Sequence, residues 1–82
     1  MEIAVRDNGQ LAVALRRFRR KGGMSQRDLA AAVNMRQATI SSAENPQSKT
    51  DTEILFRLLA GLNLELVVRP RVTDEFRVED AF

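Results

Sequence analysis

The chain contains no cysteine and no histidine. Without cysteine there can be no disulfide and no thiolate metal site. Without histidine the commonest general base and the commonest metal ligand are both missing. The carboxylates do not cluster at spacings that suit acid–base chemistry, so no catalytic residue, metal site or cofactor is expected, and an enzyme is not expected. No apolar run approaches the roughly 20 residues that cross a bilayer. The N-terminus has no signal-peptide core, and there is no internal repeat or low-complexity segment. The expectation from these absences is a cytoplasmic protein with no membrane association and no small-molecule substrate.

What is present fits one small domain of 82 residues, a size that buries a modest core and commonly gains stability by dimerising. The net charge is only +2, but it is unevenly placed: residues 1–21 carry +4, 22–50 carry +1, 51–69 carry −1 and 70–82 carry −2. The basic end suits a polyanion, and the acidic end a different surface or partner.

Residues 25–45, SQRDLAAAVNMRQATISSAEN, read as helix, tight turn, helix. Ser25 is the expected N-cap, with Asp28 three residues on completing a capping box and favouring the positive end of the helix dipole. The first helix is expected from Gln26 to Val33, with Leu29 and Val33 on one face. Ala30 leaves room for a second helix to cross closely. Asn34 tolerates a left-handed helix end almost as well as glycine does. Met35 can fill the space under the turn. The second helix opens near Arg36 or Gln37 and points Ile40 inward, leaving Gln37, Ala38, Ser41 and Ser42 on the other face. Short and polar side chains of this kind suit a major groove. The layout is that of a helix-turn-helix DNA reader.

At these residues the chain resembles the phage-repressor (Xre/Cro-like) helix-turn-helix family. Gln26, Leu29, Ala30, Val33, Met35 and Ile40 fall where that family's pattern wants them, and the resemblance covers roughly Leu11 to Leu62. Two positions depart from it: Asn34 stands where glycine is usual, and Ala43 where a larger apolar residue is common, which predicts a less firmly seated second helix.

The rest of the chain supplies the supporting elements. Met1 to Arg6 alternates, with Ile3 and Val5 on one side, and reads as a short strand or an ordered arm. Asp7 with Gln10 is a capping-box pattern opening a helix to about Lys21, with Leu11, Leu15 and Phe18 as its apolar stripe and Gly22 and Gly23 ending it. Asn45-Pro46 marks a loop. Thr50 and Glu53 form a third capping pattern, Ile54, Leu55, Leu58 and Leu59 a buried face, and Gly61 the close of that helix. From Leu64 to Arg69 the period changes to two, with Leu64, Leu66 and Val68 alternating with Glu65, Val67 and Arg69 until Pro70 stops the run. A lone strand cannot satisfy its backbone in so small a helical domain. Pairing with the same strand of a second copy through Leu64, Leu66, Val67 and Val68 is the economical solution, with Met1 to Arg6 as the other available partner. The expected domain is 1–70. Residues 71–82 read as a flexible charged tail in which Phe76, Val78 and Phe82 are apolar points usable for docking.

The DNA-contact set follows from position. Gln37, opening the second helix, can bond bidentately to adenine N6 and N7. Gln26 resembles the family residue that grips phosphate and braces that glutamine, and Arg27 stands beside it. Arg36 suits phosphate or a guanine edge, and Lys49 a phosphate from the loop. Ala38 and Ser41 suit a thymine methyl or base edge, and Thr39, Ser42 and Asn45 suit phosphate. In the basic run from Arg16 to Lys21 the charges surround the helix with Phe18 inward. One or two phosphate contacts are expected from Arg19, Arg20 or Lys21, and solvation for the others.

The whole arrangement — helix-turn-helix, the string Gln37-Ala38-Thr39-Ile40-Ser41, a further helix, one alternating strand and a short tail — resembles the HipB-type antitoxins. That resemblance implies an all-α, lambda-repressor-like bundle of four to five helices whose short C-terminal strand pairs across a homodimer. It also implies an inverted-repeat operator, repression of the chain's own operon, and a HipA-like serine/threonine kinase toxin as partner. The alternative is a stand-alone Xre-family repressor with no toxin.

Overall fold

The computed structural model describes residues 1–72 and contains four helices in that span: α1 (Asn8–Lys21), α2 (Gln26–Val33), α3 (Gln37–Ala43) and α4 (Thr52–Gly61). Each of the three longer helices starts on the side chain that satisfies its free N–H groups. Asp7 accepts from the Gln10 N–H at 2.8 Å, while the Gln10 side chain reaches back one residue further than a capping box requires, to the Arg6 N–H. Ser25 and Asp28 form the complete reciprocal box expected for α2. The cap of α4 is Asp51 rather than Thr50: its Oδ1 accepts from Glu53 N–H at 2.8 Å and Ile54 N–H at 3.3 Å. The carboxylate is the stronger acceptor for a helix start, and it shifts the boundary by one residue.

α1, α2 and α4 also end in one way. A residue with positive φ, Gly23 (73°), Asn34 (55°) or Asn63 (57°), turns the chain. The next N–H then bonds the carbonyl five residues back, Met24 to Arg19, Met35 to Ala30 and Leu64 to Leu59. In each case the residue after the turn is apolar and packs on the core, the contact that commonly accompanies this helix end. Gly61 is the last residue of α4, as expected, but the helix is capped at Leu62 and the left-handed turn falls at Asn63. The lack of a side chain at Gly61 serves packing: a Cβ there would overlap Val33 Cγ1 and sit 3.3 Å from Leu29 Cδ1.

The core is built where α2 packs against α3 and α4. Leu29, Ile40 and Leu58 are its fully buried side chains, joined by Leu15, Ala30, Ala43, Leu55 and Leu59. Burying each large aliphatic side chain is worth about 1.5–3 kcal/mol. Ala43 is buried despite its size, so α3 is seated on Ile40 and Ala43 together. Phe18 is only half-buried, and the inward position near the end of α1 belongs to Arg19.

Residues 64–72 form no hydrogen-bonded ladder within the single chain, and neither do residues 1–6. Leu64 packs on the core, whereas Leu66, Val67 and Val68 are exposed, Val68 at 93%. The two terminal segments meet through Arg69 Nη1 and Glu2 Oε1 at 3.1 Å. The expected tail, with Phe76, Val78 and Phe82, lies outside the described residues apart from Arg71 and Val72.

Candidate nucleic-acid interface

The recognition surface depends on how α3 is held, and the hold is electrostatic as well as apolar. Arg19, near the end of α1, directs Nε to Glu44 Oε2 at 2.6 Å and Nη2 to Glu44 Oε1 at 2.9 Å, just past the end of α3. Its remaining nitrogen donates to the Met24 carbonyl at 2.8 Å, in the α1–α2 turn. Gln26, the first residue of α2, donates from Nε2 to Glu44 Oε1 at 3.2 Å. One carboxylate thus collects α1, α2 and α3. Both ion-pair side chains are buried, and among the described residues no buried side-chain polar atom lacks a partner.

Burial pushes the Glu44 carboxyl up, but the hydrogen bonds from Arg19 and Gln26, with the charges of Arg19 and Arg16, outweigh it and hold Glu44 below the usual glutamate range. The hydrogen bond to Glu44 raises the Arg19 guanidinium above the ordinary arginine value, against desolvation. The pair is therefore charged on both sides at neutral pH. Arg19, expected on sequence grounds among the phosphate-contact candidates, is engaged in this pair and lies at the floor of the trough described next.

Above the pair lies an open trough of about 710 Å³. One wall is the exposed face of α3, with Ala38, Ser41 and Ser42, continued by Asn45 and Ser48. The other is the end of α1, which contributes Arg16 and Arg20, with Gln26 between them. Two cations facing a wall of short polar side chains make a surface suited to a phosphodiester backbone with a groove edge beside it.

Five of the ten residues expected at a DNA surface, Gln26, Ala38, Ser41, Ser42 and Asn45, come together in this trough. Gln37 is exposed at the N-terminal end of α3, where a side chain leads into a groove, and Arg36 is exposed just before it. Arg27 is exposed on α2, Lys49 is exposed in the loop after α3, and Thr39 is half-buried. Gln26 spends one N–H on Glu44, which fixes the direction of its amide independently of Gln37. Asn45 Oδ1 accepts from the Gln47 N–H at 2.9 Å, and so shapes the loop as well as lining the trough. Sequence reasoning left Arg16 and Ser48 out of the contact set and gave Glu44 no role. Helical spacing does carry a signal for the first: Arg16 and Arg20 lie four apart, on one face of α1.

The helix-turn-helix geometry agrees with comparisons to known proteins. The HTH_3 helix-turn-helix family model matches residues 15–68. The chain is 36% identical over 59 residues, 72% of its length, to Antitoxin HipB of Escherichia coli O6:H1 (strain CFT073) and to Antitoxin HipB of E. coli K12. It spans 63% of the first of these relatives and 67% of the second. Among solved structures, a complex of a HipB variant with the O2 20mer matches with a TM-score of 0.78 and 30% identity, over 84% of this chain and 96% of that one. A HipA–HipB–O2–O3 complex matches with a TM-score of 0.74 and 32% identity, over 80% and 93%. The chain belongs to the helix-turn-helix family and, among its Xre-like members, to the HipB-type antitoxins.

Proposed function

We propose that this protein is a sequence-specific DNA-binding antitoxin that represses its own operon and binds and neutralises a HipA-like serine/threonine kinase. The observation that carries the DNA reading is the trough: the polar face of α3 and the cations Arg16 and Arg20 line one concave surface. Phosphate contacts there supply affinity, and the exposed start of α3 at Gln37 supplies base readout. Arg36, Arg27 and Lys49 add charge around the surface, and Ser42 and Asn45 suit phosphate oxygens. The kinase partner is supported by kinship with HipB, which occurs with HipA in a solved complex.

A two-fold dimer gives the operator its form. Pairing of residues 64–68 with the same segment of a second copy covers Leu66, Val67 and Val68, which one chain leaves exposed. Such a dimer presents two recognition helices about 34–36 Å apart, matching an inverted repeat with half-sites one helical turn apart. Fluorescence anisotropy with a labelled duplex from upstream of its own gene tests this reading. Tight binding, with affinity falling steeply as salt rises, is expected. Equal affinity for a scrambled duplex would overturn sequence-specific binding. Co-expression with a HipA-like kinase from the same genome, followed by size-exclusion chromatography, is expected to give a joint complex.

A further inference from the structure

Among the described residues, α3 is the one helix whose start is not fixed by a capping side chain. Arg36 occupies its N-cap position and makes no side-chain cap bond, whereas Asp7, Ser25 and Asp51 cap the other three. Ile40, Ala43 and the Arg19–Glu44 pair seat the body and far end of α3. Its near end, where Gln37 stands, depends on the turn from α2, and only Asn34 and Met35 lie between Val33 and Arg36.

That turn is gripped from α4. Arg57 Nη2 donates to the Val33 carbonyl and, at 3.2 Å, to the Asn34 carbonyl. The turn's own N–H groups are spent further back: Asn34 bonds the Ala31 carbonyl at 3.3 Å, and Met35 the Ala30 carbonyl at 2.9 Å. The carbonyls of Val33 and Asn34 are thus left to a side chain, and a cation is the favoured donor at the negative end of a helix. Gly61, one turn beyond Arg57 on the same face of α4, lets Val33 approach closely enough for this reach. Arg57 does not line the trough.

We infer that Arg57 is a positioning residue for base reading: from α4 it fixes the α2–α3 turn, and so the aim of Gln37, without touching DNA. The inference rests on Gln37 as the base reader; the grip on the turn does not. Both bonds come from a single nitrogen, so a lysine ammonium can replace the guanidinium here and a methionine cannot.

The test compares Arg57→Met and Arg57→Lys in the full chain. Amide hydrogen exchange by NMR reads the turn, and anisotropy titrations read DNA. The duplexes are the operator and a copy changed at the base pair where Gln37→Ala loses preference. In Arg57→Met the amides of Asn34 and Met35 are expected to exchange several-fold faster, with Leu29 and Leu55 protected as in the parent. Discrimination between the two duplexes is expected to fall several-fold, at an unchanged salt slope, because no phosphate contact is lost. Arg57→Lys is expected to restore both the protection and the discrimination. Adding Arg57→Met to Gln37→Ala is expected to cost no further discrimination, an equivalence that a merely structural role would not produce.

Unaltered exchange at the turn, or full discrimination in Arg57→Met, would overturn the positioning role. A reduced salt slope would make Arg57 a phosphate contact instead. Lost protection at Leu29 and Leu55 would make it a general stability element, which also overturns the inference. A parent chain that bound no operator would remove the base reading and the positioning with it, while the exchange comparison would still decide whether Arg57 holds the turn.

Discussion

Arg19 and Glu44 face each other as a buried, two-pronged ion pair that joins the end of α1 to the end of α3. A pair of this kind adds little net stability compared with an apolar replacement, but losing one member strands the other charge in a desolvated site. Arg19→Met is therefore expected to destabilise the fold by about 3 kcal/mol in urea unfolding, and the double replacement Arg19→Met with Glu44→Leu to recover much of that loss. A single replacement costing under about 1 kcal/mol would show that the pair is solvated enough to be dispensable.

Acid should act through the same carboxylate. Glu44 has a folded pKa depressed below its unfolded value, so its contribution is fully present above the unfolded value of about 4.3 and is lost as pH falls through the folded one. Asp28, lowered by its hydrogen bonds with Ser25, acts in the same direction. The melting temperature is expected to stay level from neutrality to about pH 5 and to fall below about pH 4, less steeply in Glu44→Gln. Identical acid profiles for the two proteins would mean that other carboxylates govern the transition.

Much of this architecture was legible from local chemistry, because caps, turns and apolar spacing act over a few residues. The bounds of α2 and the left-handed Asn34 follow from Ser25, Asp28 and the residue types at the turn. What the sequence hid was long-range. Helical spacing puts Arg19 four residues after Leu15 on the inward face of α1, but only the position of Glu44, 25 residues away, shows what a buried arginine there would pair with. Gly61 reads as a helix stop, and only the crossing of α2 over α4 reveals it as a contact point. Asn63, the actual turn residue, gave no signal stronger than the glycine two positions before it. The alternation at 64–69 produces no ladder within one chain, where its backbone has no strand partner.

Gly61→Ala sets two effects of opposite sign against each other. Alanine is favoured over glycine by about 1 kcal/mol in a helix interior, and by less at the last residue of α4. The added methyl, however, overlaps Val33 and crowds Leu29, and overpacking of this type costs about 1–3 kcal/mol. Net destabilisation is expected, and Val33→Ala in the same chain should relieve part of it. A Gly61→Ala protein more stable than the parent would show that α2 and α4 can separate slightly at no cost.

Val68→Asp tests the proposed dimer without touching the helical core, because Val68 is 93% exposed in the single chain. The expected outcome is a shift towards monomer in multi-angle light scattering and weaker operator binding, with an unchanged circular dichroism spectrum. A dimer that persists would assign the contact between copies to the helices.

Base reading and phosphate binding separate by their dependence on sequence and salt. Gln37 is exposed at the start of α3, and a bidentate contact to adenine discriminates by about 1–3 kcal/mol. Gln37→Ala should therefore equalise affinity for operators differing at one base pair per half-site, while affinity for unrelated DNA stays the same. Arg20, on the α1 wall of the trough, should behave oppositely. Arg20→Ala is expected to weaken binding to all duplexes alike and to reduce the slope of log affinity against log salt by about 1 per protomer. If Gln37→Ala left the base preference intact, the reading side chain would have to be sought among Arg36, Ala38 and Ser41 on the same end and face of α3. A salt slope unaltered by Arg20→Ala would place the phosphate backbone nearer Arg36 and Lys49.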